Sequence, residues 1–485
     1  MAKEGQRGGQ NLDAVIAQAK ADRGRLDSAA FGPFSLTALG IASVVGAGIF
    51  VTTGQAAAEF AGPAVAISFV LAGLAAGATA LSYAELASMI PAAGSTYSYA
   101  YAVFGVFLGW FIGWDLLLEY LFAASTVAVG WSGYAVNGLE SFGIALPDAI
   151  TKPPFGEDAG VINLPAMLIV VLATSLLAVG IRQSTRANNA MTVLKVGILV
   201  LFVAVGAFYV TGSNWDPFIP ANSGEFGEFG VSGILRGAGV VFFAYVGFDA
   251  VSTAAAESRN PRRTVPIGLL ATVLISTALY VGIGLVMTGM ENYTDLNVAN
   301  PLSEAIDAVG GLAWLGALVD VAAVVGLAAT VLVTFYGQTR IFMRMSSDGM
   351  LPDAFGRVSE STKTPLFATV VSGVIGAMAA GLIPIDALGE LVSIGTLLAF
   401  VIVCAGVLVL RVRRPDLERP FRAPGVWITA PLGALSALAL MTTLPVETWY
   451  RLAGWLAIGL VIYFGYSRRR VAARREARLS SAGEA

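Results

Sequence analysis

Twelve apolar stretches, each long enough to cross a bilayer, leave this chain few folds to choose from. They cover about 35–59, 63–90, 98–129, 161–181, 189–211, 232–257, 265–290, 311–345, 366–384, 388–411, 426–444 and 449–467. A crossing helix takes about 20 mostly apolar residues. Backbone polar groups in lipid find no water, so a spanning segment is a helix or part of a closed barrel, and runs of this length predict helices. Pro63, Pro91, Pro165, Pro266, Pro365 and Pro431 punctuate the stretches. Charged residues make up 13% of the chain, against roughly 25% in soluble domains. The fold class predicted is an all-α integral membrane protein.

Charge predicts the orientation. All but four of the 29 lysines and arginines lie in the N-terminal segment, in the connections after even-numbered spans or the span ends leading into them, or in the tail. The exceptions are Lys152, Lys195, Arg236 and Arg451. Connections after odd-numbered spans carry Glu225, Glu228, Glu291, Asp295, Glu304 and Asp307 instead. Positive residues stay inside, so both termini are expected in the cytoplasm, with the protein in the plasma membrane. Residues 1–34 lack the apolar core of a signal peptide, and no cleavage is expected. Leu12, Val15, Ile16 and Ala19 repeat at helical spacing, which fits an amphipathic helix on the membrane surface or a frayed tail.

The chain contains no histidine. Ser-His and Cys-His catalysis, histidine-held metals and imidazole relays are thereby excluded, and an enzyme is not expected. Proton chemistry falls to carboxylates or lysine. The single cysteine, Cys404, sits in an apolar run, where packing is its expected role. The charges are striped between spans, which gives no basis for a nucleic-acid partner. No cofactor or metal is expected.

Two spans carry glycine-containing interruptions at corresponding places: Gly46-Ala47-Gly48-Ile49-Phe50 in the first and Phe243-Ala244-Tyr245-Val246-Gly247-Phe248-Asp249 in the sixth. Gly73/Gly77 and Gly105/Gly109/Gly113 have the four-residue spacing of helix packing instead. Broken spans survive in lipid only where they line a cavity, and a matched pair points to the binding site of a secondary transporter with inverted repeats. The half-helix starting near Ile49 offers N–H groups of Ala47, Gly48 and Ile49 to a carboxylate. The half-helices ending near Val44 and Phe243 offer carbonyls to an ammonium. An α-amino acid carries both groups. Ala244, Val246 and Phe248 complete the predicted substrate site, and the bulk of Phe243, Val246 and Phe248, with Val331 or Thr334 opposite, favours small or medium neutral side chains.

Several motifs together resemble the amino acid–polyamine–organocation superfamily, most closely its cationic-amino-acid-transporter branch as found in bacteria. They are Phe34-Ser35-Leu36-Thr37 through Phe50, Tyr83-Ala84-Glu85-Leu86, Pro91-Ala92-Ala93-Gly94-Ser95, Gly113-Trp114-Asp115 with Glu119-Tyr120, the second break, Glu257…Asn260-Pro261, and Tyr336-Gly337-Gln338-Thr339-Arg340. The likeness runs from about residue 25 to 467. It implies five-plus-five inverted repeats with broken spans 1 and 6, substrate between those spans, and spans 3 and 8 alongside. The expected division is a cytoplasmic segment 1–34, a transporter domain 35–467 and a basic tail 468–485. Within the domain fall repeats 35–211 and 232–411 and two extra helices in 426–467. Ala256 stands where the family usually has the first glutamate of a pair, Val106 replaces a frequent glutamate, and Arg236 is unusual, with no role read for it beyond snorkelling.

Lys195 lies mid-span, where an unpartnered lysine is costly. One reading has it snorkel from the inner end of span 5, close to Asn188 and Asn189. The favoured reading sets its ammonium against carbonyls near Ala42 and Val45, freed by the first break. The resemblance supports that: the branch usually has a lysine there, at the position where sodium-coupled relatives of the fold hold sodium. A lysine so placed can exchange protons. Span 8 reads Gly326-Leu327-Ala328-Ala329-Thr330, with one hydroxyl and no adjacent pair, a poor sodium site. Asp115 and Glu119 share one face of span 3. They bond neighbouring helices or, with Thr330 and Thr334, line the pathway. Asp249 fits a cap on the second half of span 6, with substrate contact as the alternative. The reading is an amino-acid permease working by alternating access, proton-coupled. A polyamine or cationic amino-acid exchanger and a non-transporting sensor are the alternatives, and oligomeric state is left open.

Overall fold

The computed structural model of the chain describes residues 32–90, 95–155, 160–180, 185–253, 255, 258–362, 364–472 and 474. The N-terminal segment with Leu12, Val15, Ile16 and Ala19 lies outside them. So do Pro91-Ala92-Ala93-Gly94, Arg182, Ala256, Glu257, Lys363 and the tail from 475 onward. Among the described residues, eight helices are long and apolar enough to cross a membrane, and three shorter apolar helices join them.

Span 1 is Pro33–Val44, then Ala47–Phe50, Thr52–Gln55 and a π-helical turn Ala56–Ala61. Spans 2 to 5 are Val65–Met89, Val106–Ser141, Leu164–Val179 and Thr185–Gly206. Span 6 is Gly230–Val241, a 3-10 turn Phe242–Tyr245 and, after a gap, Ala250–Thr253. Spans 7 to 10 are Pro261–Met290, Ala313–Ser347, Leu366–Leu382 and Ile385–Arg413. Spans 11 and 12 are Val426–Thr443 and Val446–Ile462, the last continued by Tyr463–Ser467. Below, the face at which span 1 starts is the near face, and the opposite one the far face.

The packing repeats itself after five spans. Span 2 lies on span 7, span 3 on span 8, and span 4 on span 9. Span 5 packs against spans 1, 7 and 8, while span 10 packs against their counterparts 6, 2 and 3. The contacts of the first five spans recur in the second five, as in a five-plus-five inverted repeat. Glycines permit the closest approaches: a Cβ on Gly73 of span 2 would sit 2.6 Å from the Thr277 hydroxyl of span 7.

Span 3 departs from the sequence reading. A span over 98–129 was expected, but Ser95–Phe104 is a separate helix and span 3 starts at Val106. Gly105, at φ 88°, makes the corner, a conformation open to glycine and costly for other residues. Gly105 is thus a hinge and not part of a packing ridge. Gly109 and Gly113 do give close approach, to Tyr101 and Tyr97 of the short helix.

Spans 11 and 12 brace the core from outside. The Trp114 indole N–H donates to the Trp455 carbonyl at 2.8 Å, and the Trp455 indole returns the bond to Trp114 at 3.0 Å. Trp110 donates to the Gly459 carbonyl. Span 12 is therefore fixed to span 3. At the near face, Glu85 of span 2 receives Arg411 of span 10 through two bonds of 2.8 and 2.7 Å. The Ala423 N–H and Arg419 add to the same carboxylate. A bidentate, multiply satisfied pair of this kind is among the stronger polar contacts a protein makes.

Candidate functional site

The two breaks lie against each other. Val45 closes the first half of span 1 with a bond to Ile41, and Gly46 is extended at φ −134°, ψ −149°. In span 6, Val246 is extended and Gly247 adopts φ 96°. A Cβ on Gly48 would come within 2.4 Å of the Ala244 Cα, and one on Gly247 within 3.3 Å of Ser43. Backbone from spans 1 and 6 thus crosses in near contact. A Cβ on Gly46 would meet only Thr330 of span 8 and Val127 of span 3, at 3.5 and 3.6 Å. Spans 3 and 8 therefore flank the break.

Polar backbone groups remain open at this crossing. Among the described residues the Ala47 and Gly48 N–H groups donate to no backbone acceptor, whereas Ile49 donates to Gly46 at 3.2 Å. Ile49 is thus corrected: two amides are free, not three, because the half-helix opens with a tight turn. The acceptor side is corrected too. The Val44 carbonyl takes the Tyr280 hydroxyl at 3.1 Å, and the Phe243 carbonyl takes the Val246 N–H at 3.1 Å. Among the described residues the carbonyls of Ser43, Ala244 and Tyr245 accept no backbone N–H across the breaks. Buried backbone groups are nearly always paired, so unpaired ones clustered at two helix breaks await a partner.

Lys195 stands behind the first break. Its ammonium donates to the Val45 carbonyl at 2.7 Å and to the Thr330 hydroxyl oxygen at 3.1 Å. The Thr330 hydroxyl is in turn 2.9 Å from the Gly326 carbonyl and 3.5 Å from that of Ala42. Gly326 makes room for the lysine stem, since a Cβ there would sit 2.8 Å from Lys195 Cε. The side chain is 4% exposed. It reaches inward to span 1 and does not snorkel. Sequence reasoning had Thr330 as a pathway residue; its hydroxyl instead belongs to the lysine cradle.

The remaining candidates fall on two sides of the breaks. Toward the far face, Phe243 closes a gap of about 10 Å³ that Thr52, Gln55, Val240, Asp386 and Glu390 also line. Toward the near face, Phe248 packs edge-on against Tyr83 and Phe400, and Tyr83 bonds Thr96 at 2.6 Å. Phe248 is therefore part of this plug and does not stand beside Phe243. Val246 is buried. Glu119 lies within electrostatic reach of Asp249 and Asp115, beside Thr396. Asp115 faces Gly395 of span 10, and neither of its carboxyl oxygens has a hydrogen-bond partner among the described residues. Thr334 spends its hydroxyl on the Thr330 carbonyl of its own helix, at 2.8 Å. Sequence reasoning missed Tyr280, whose hydroxyl caps the first half of span 1; a tyrosine in an apolar run was its only signal.

The sequence profile of the family described as "Amino acid permease" matches residues 31–465. The chain belongs to this family. The match bears out the resemblance drawn from the motifs, and its relatives are transporters, not enzymes. A "Branched-chain amino acid permease BcaP" of Bacillus subtilis is 45% identical, over 90% of this chain and 93% of its own length. A "Methylthioribose transporter" of Bacillus subtilis is 42% identical, over 94% and 97%. "Cationic amino acid transporter 4, vacuolar" of Arabidopsis thaliana is 38% identical, over 79% and 63%. Family and fold agree on a multi-pass membrane permease.

Proposed function

We infer that the protein is a secondary active permease that carries α-amino acids across the plasma membrane by alternating access, coupled to protons. The observation that carries the substrate is the pair of unbonded Ala47 and Gly48 amides facing a crossing where Ser43, Ala244 and Tyr245 carbonyls lie open. Donors at a helix start suit a carboxylate, and carbonyls at a helix end suit an ammonium. Lys195, held on span 1 from span 5, is the candidate coupling residue. The basic residues concentrated at the near face support a cytoplasmic near face.

Backbone recognition leaves the side chain of the substrate to its surroundings, and the burial of Phe243 and Val246 favours small or medium neutral ones. Two relatives named as branched-chain permeases accord with this. A second reading, cationic cargo, draws on Glu119 and Asp115, buried carboxylates on the near side. Methylthioribose carries neither a carboxylate nor an ammonium and would leave both sets of backbone groups unused.

The test is uptake of labelled leucine into proteoliposomes, with and without an inward proton gradient, against excess competitors. The expected result is gradient-stimulated uptake, blocked by alanine and valine more than by arginine. Stronger competition by arginine would overturn the neutral preference. Block by methylthioribose with none by any amino acid would overturn the substrate class.

A further inference from the structure

Glu390, near the far end of span 10, gathers contacts from two other spans. Arg236 of span 6 approaches it at 3.7 Å and Arg451 of span 12 at 3.6 Å. The Thr448 hydroxyl donates to it at 2.7 Å. Arg236 also donates to the Thr443 carbonyl at the end of span 11, at 3.0 Å, and its guanidinium lies 5.2 Å from the Phe60 ring centre at the end of span 1. One arginine thus ties together the far ends of spans 1, 6, 10 and 11. It does not snorkel.

The gap that ends on Phe243 runs between these elements. Val240 and Phe243 of span 6 form one wall, and Ile385, Gly389 and Glu390 of span 10 another. At about 10 Å³ it holds one water at most. An amino acid reaching the breaks by this route must part span 6 from span 10, and the Arg236–Glu390 contact bridges that seam.

The two ends of span 10 are held unequally. At the near end, Arg411 and Glu85 make two bonds below 3 Å on a carboxylate that further donors saturate. At the far end the Arg236–Glu390 contact is long, and Arg236 Nε has no hydrogen-bond partner among the described residues. Bidentate pairs resist separation, whereas a single long contact costs little to break and remake. We propose that the far half of span 6 parts from span 10, which the Glu85–Arg411 pair anchors at its near end, with Arg236–Glu390 as the latch of the far, outer gate. Thr448 and Arg451 keep Glu390 registered against span 12, which the tryptophans fix to span 3. This inference rests on the alternating-access reading, for which it supplies the outer gate.

The test uses a reporter cysteine in the gap, Val240→Cys, with the native Cys404 retained as an internal control because it is fully buried. Maleimide labelling of the purified protein is followed at each site by mass. Glu390→Gln and Arg236→Gln are each expected to raise labelling at position 240 roughly five-fold or more, with Cys404 still protected. Unchanged labelling at 240 in both variants overturns the latch, and so does an equal rise at Cys404, which marks general loosening. The underlying reading fails separately: saturating leucine would then leave labelling at 240 unaltered in the protein with its latch intact.

Discussion

Lys195→Met is expected to lose uptake driven by a pH gradient while gaining no dependence on sodium. The ammonium bridges span 5 to the Val45 carbonyl of broken span 1 and to Thr330 of span 8. Methionine fills the same volume but donates nothing, so a buried carbonyl goes unpaired at a cost of about 1–3 kcal/mol. Applied to one of two access states separated by a few kcal/mol, that is a shift of about 5- to 150-fold in their ratio. Sodium gains no site, because span 8 still offers one hydroxyl. Uptake by wild type and variant across imposed pH gradients checks the outcome. An unchanged pH response in the variant would leave Lys195 as packing and the coupling ion without a residue.

The second large effect separates two glycines that lie two residues apart in sequence. Gly48→Ala is expected to abolish substrate binding and lower thermal stability, whereas Gly46→Ala leaves the fold intact. The alanine Cβ at position 48 would meet the Ala244 backbone at 2.4 Å, and backbone cannot swing aside as a side-chain tip can. Overpacking of this kind typically costs about 1–3 kcal/mol. Here the shift would also drive apart the two breaks whose polar groups form the site. At Gly46 the nearest atoms are 3.5 Å away, ordinary contact, and its φ is negative. Thermal unfolding and ligand binding on both variants check the contrast. Normal affinity in a folded Gly48→Ala protein would show that the crossing of spans 1 and 6 does not shape the site.

The sequence disclosed the spans and the breaks for a physical reason. In lipid, twenty apolar residues have no alternative to a helix, and an interrupted one needs a cavity, so periodicity and glycine carry most of the architecture. Gly247 shows this directly: its φ of 96°, open to glycine, falls at the turn where the helix of span 6 is interrupted. What stayed hidden depends on which side chain reaches across. The Val44 carbonyl looked open from its position at a helix end, but Tyr280 from 236 residues away pairs with it. Arg236 read as a stray charge at a membrane edge until Glu390 and the Thr443 carbonyl appeared beside it. The corner at Gly105 was hidden among glycines at packing intervals, since spacing alone does not separate a hinge from a ridge. Lys195 was legible because charge in lipid has so few ways to persist.

The central claim, that backbone at two helix breaks reads both ends of an α-amino acid, is tested most directly by binding to the purified protein. Leucine, leucinamide and isocaproate share one apolar body. The first has both charged groups, the second lacks the carboxylate and the third lacks the ammonium. Hydrogen bonds to a charged group are worth about 1.5–3 kcal/mol, so each deletion is expected to raise Kd at least about ten-fold relative to leucine. Equal affinity for leucine and leucinamide would contradict a carboxylate at the Ala47 and Gly48 amides, and with it the account of the site.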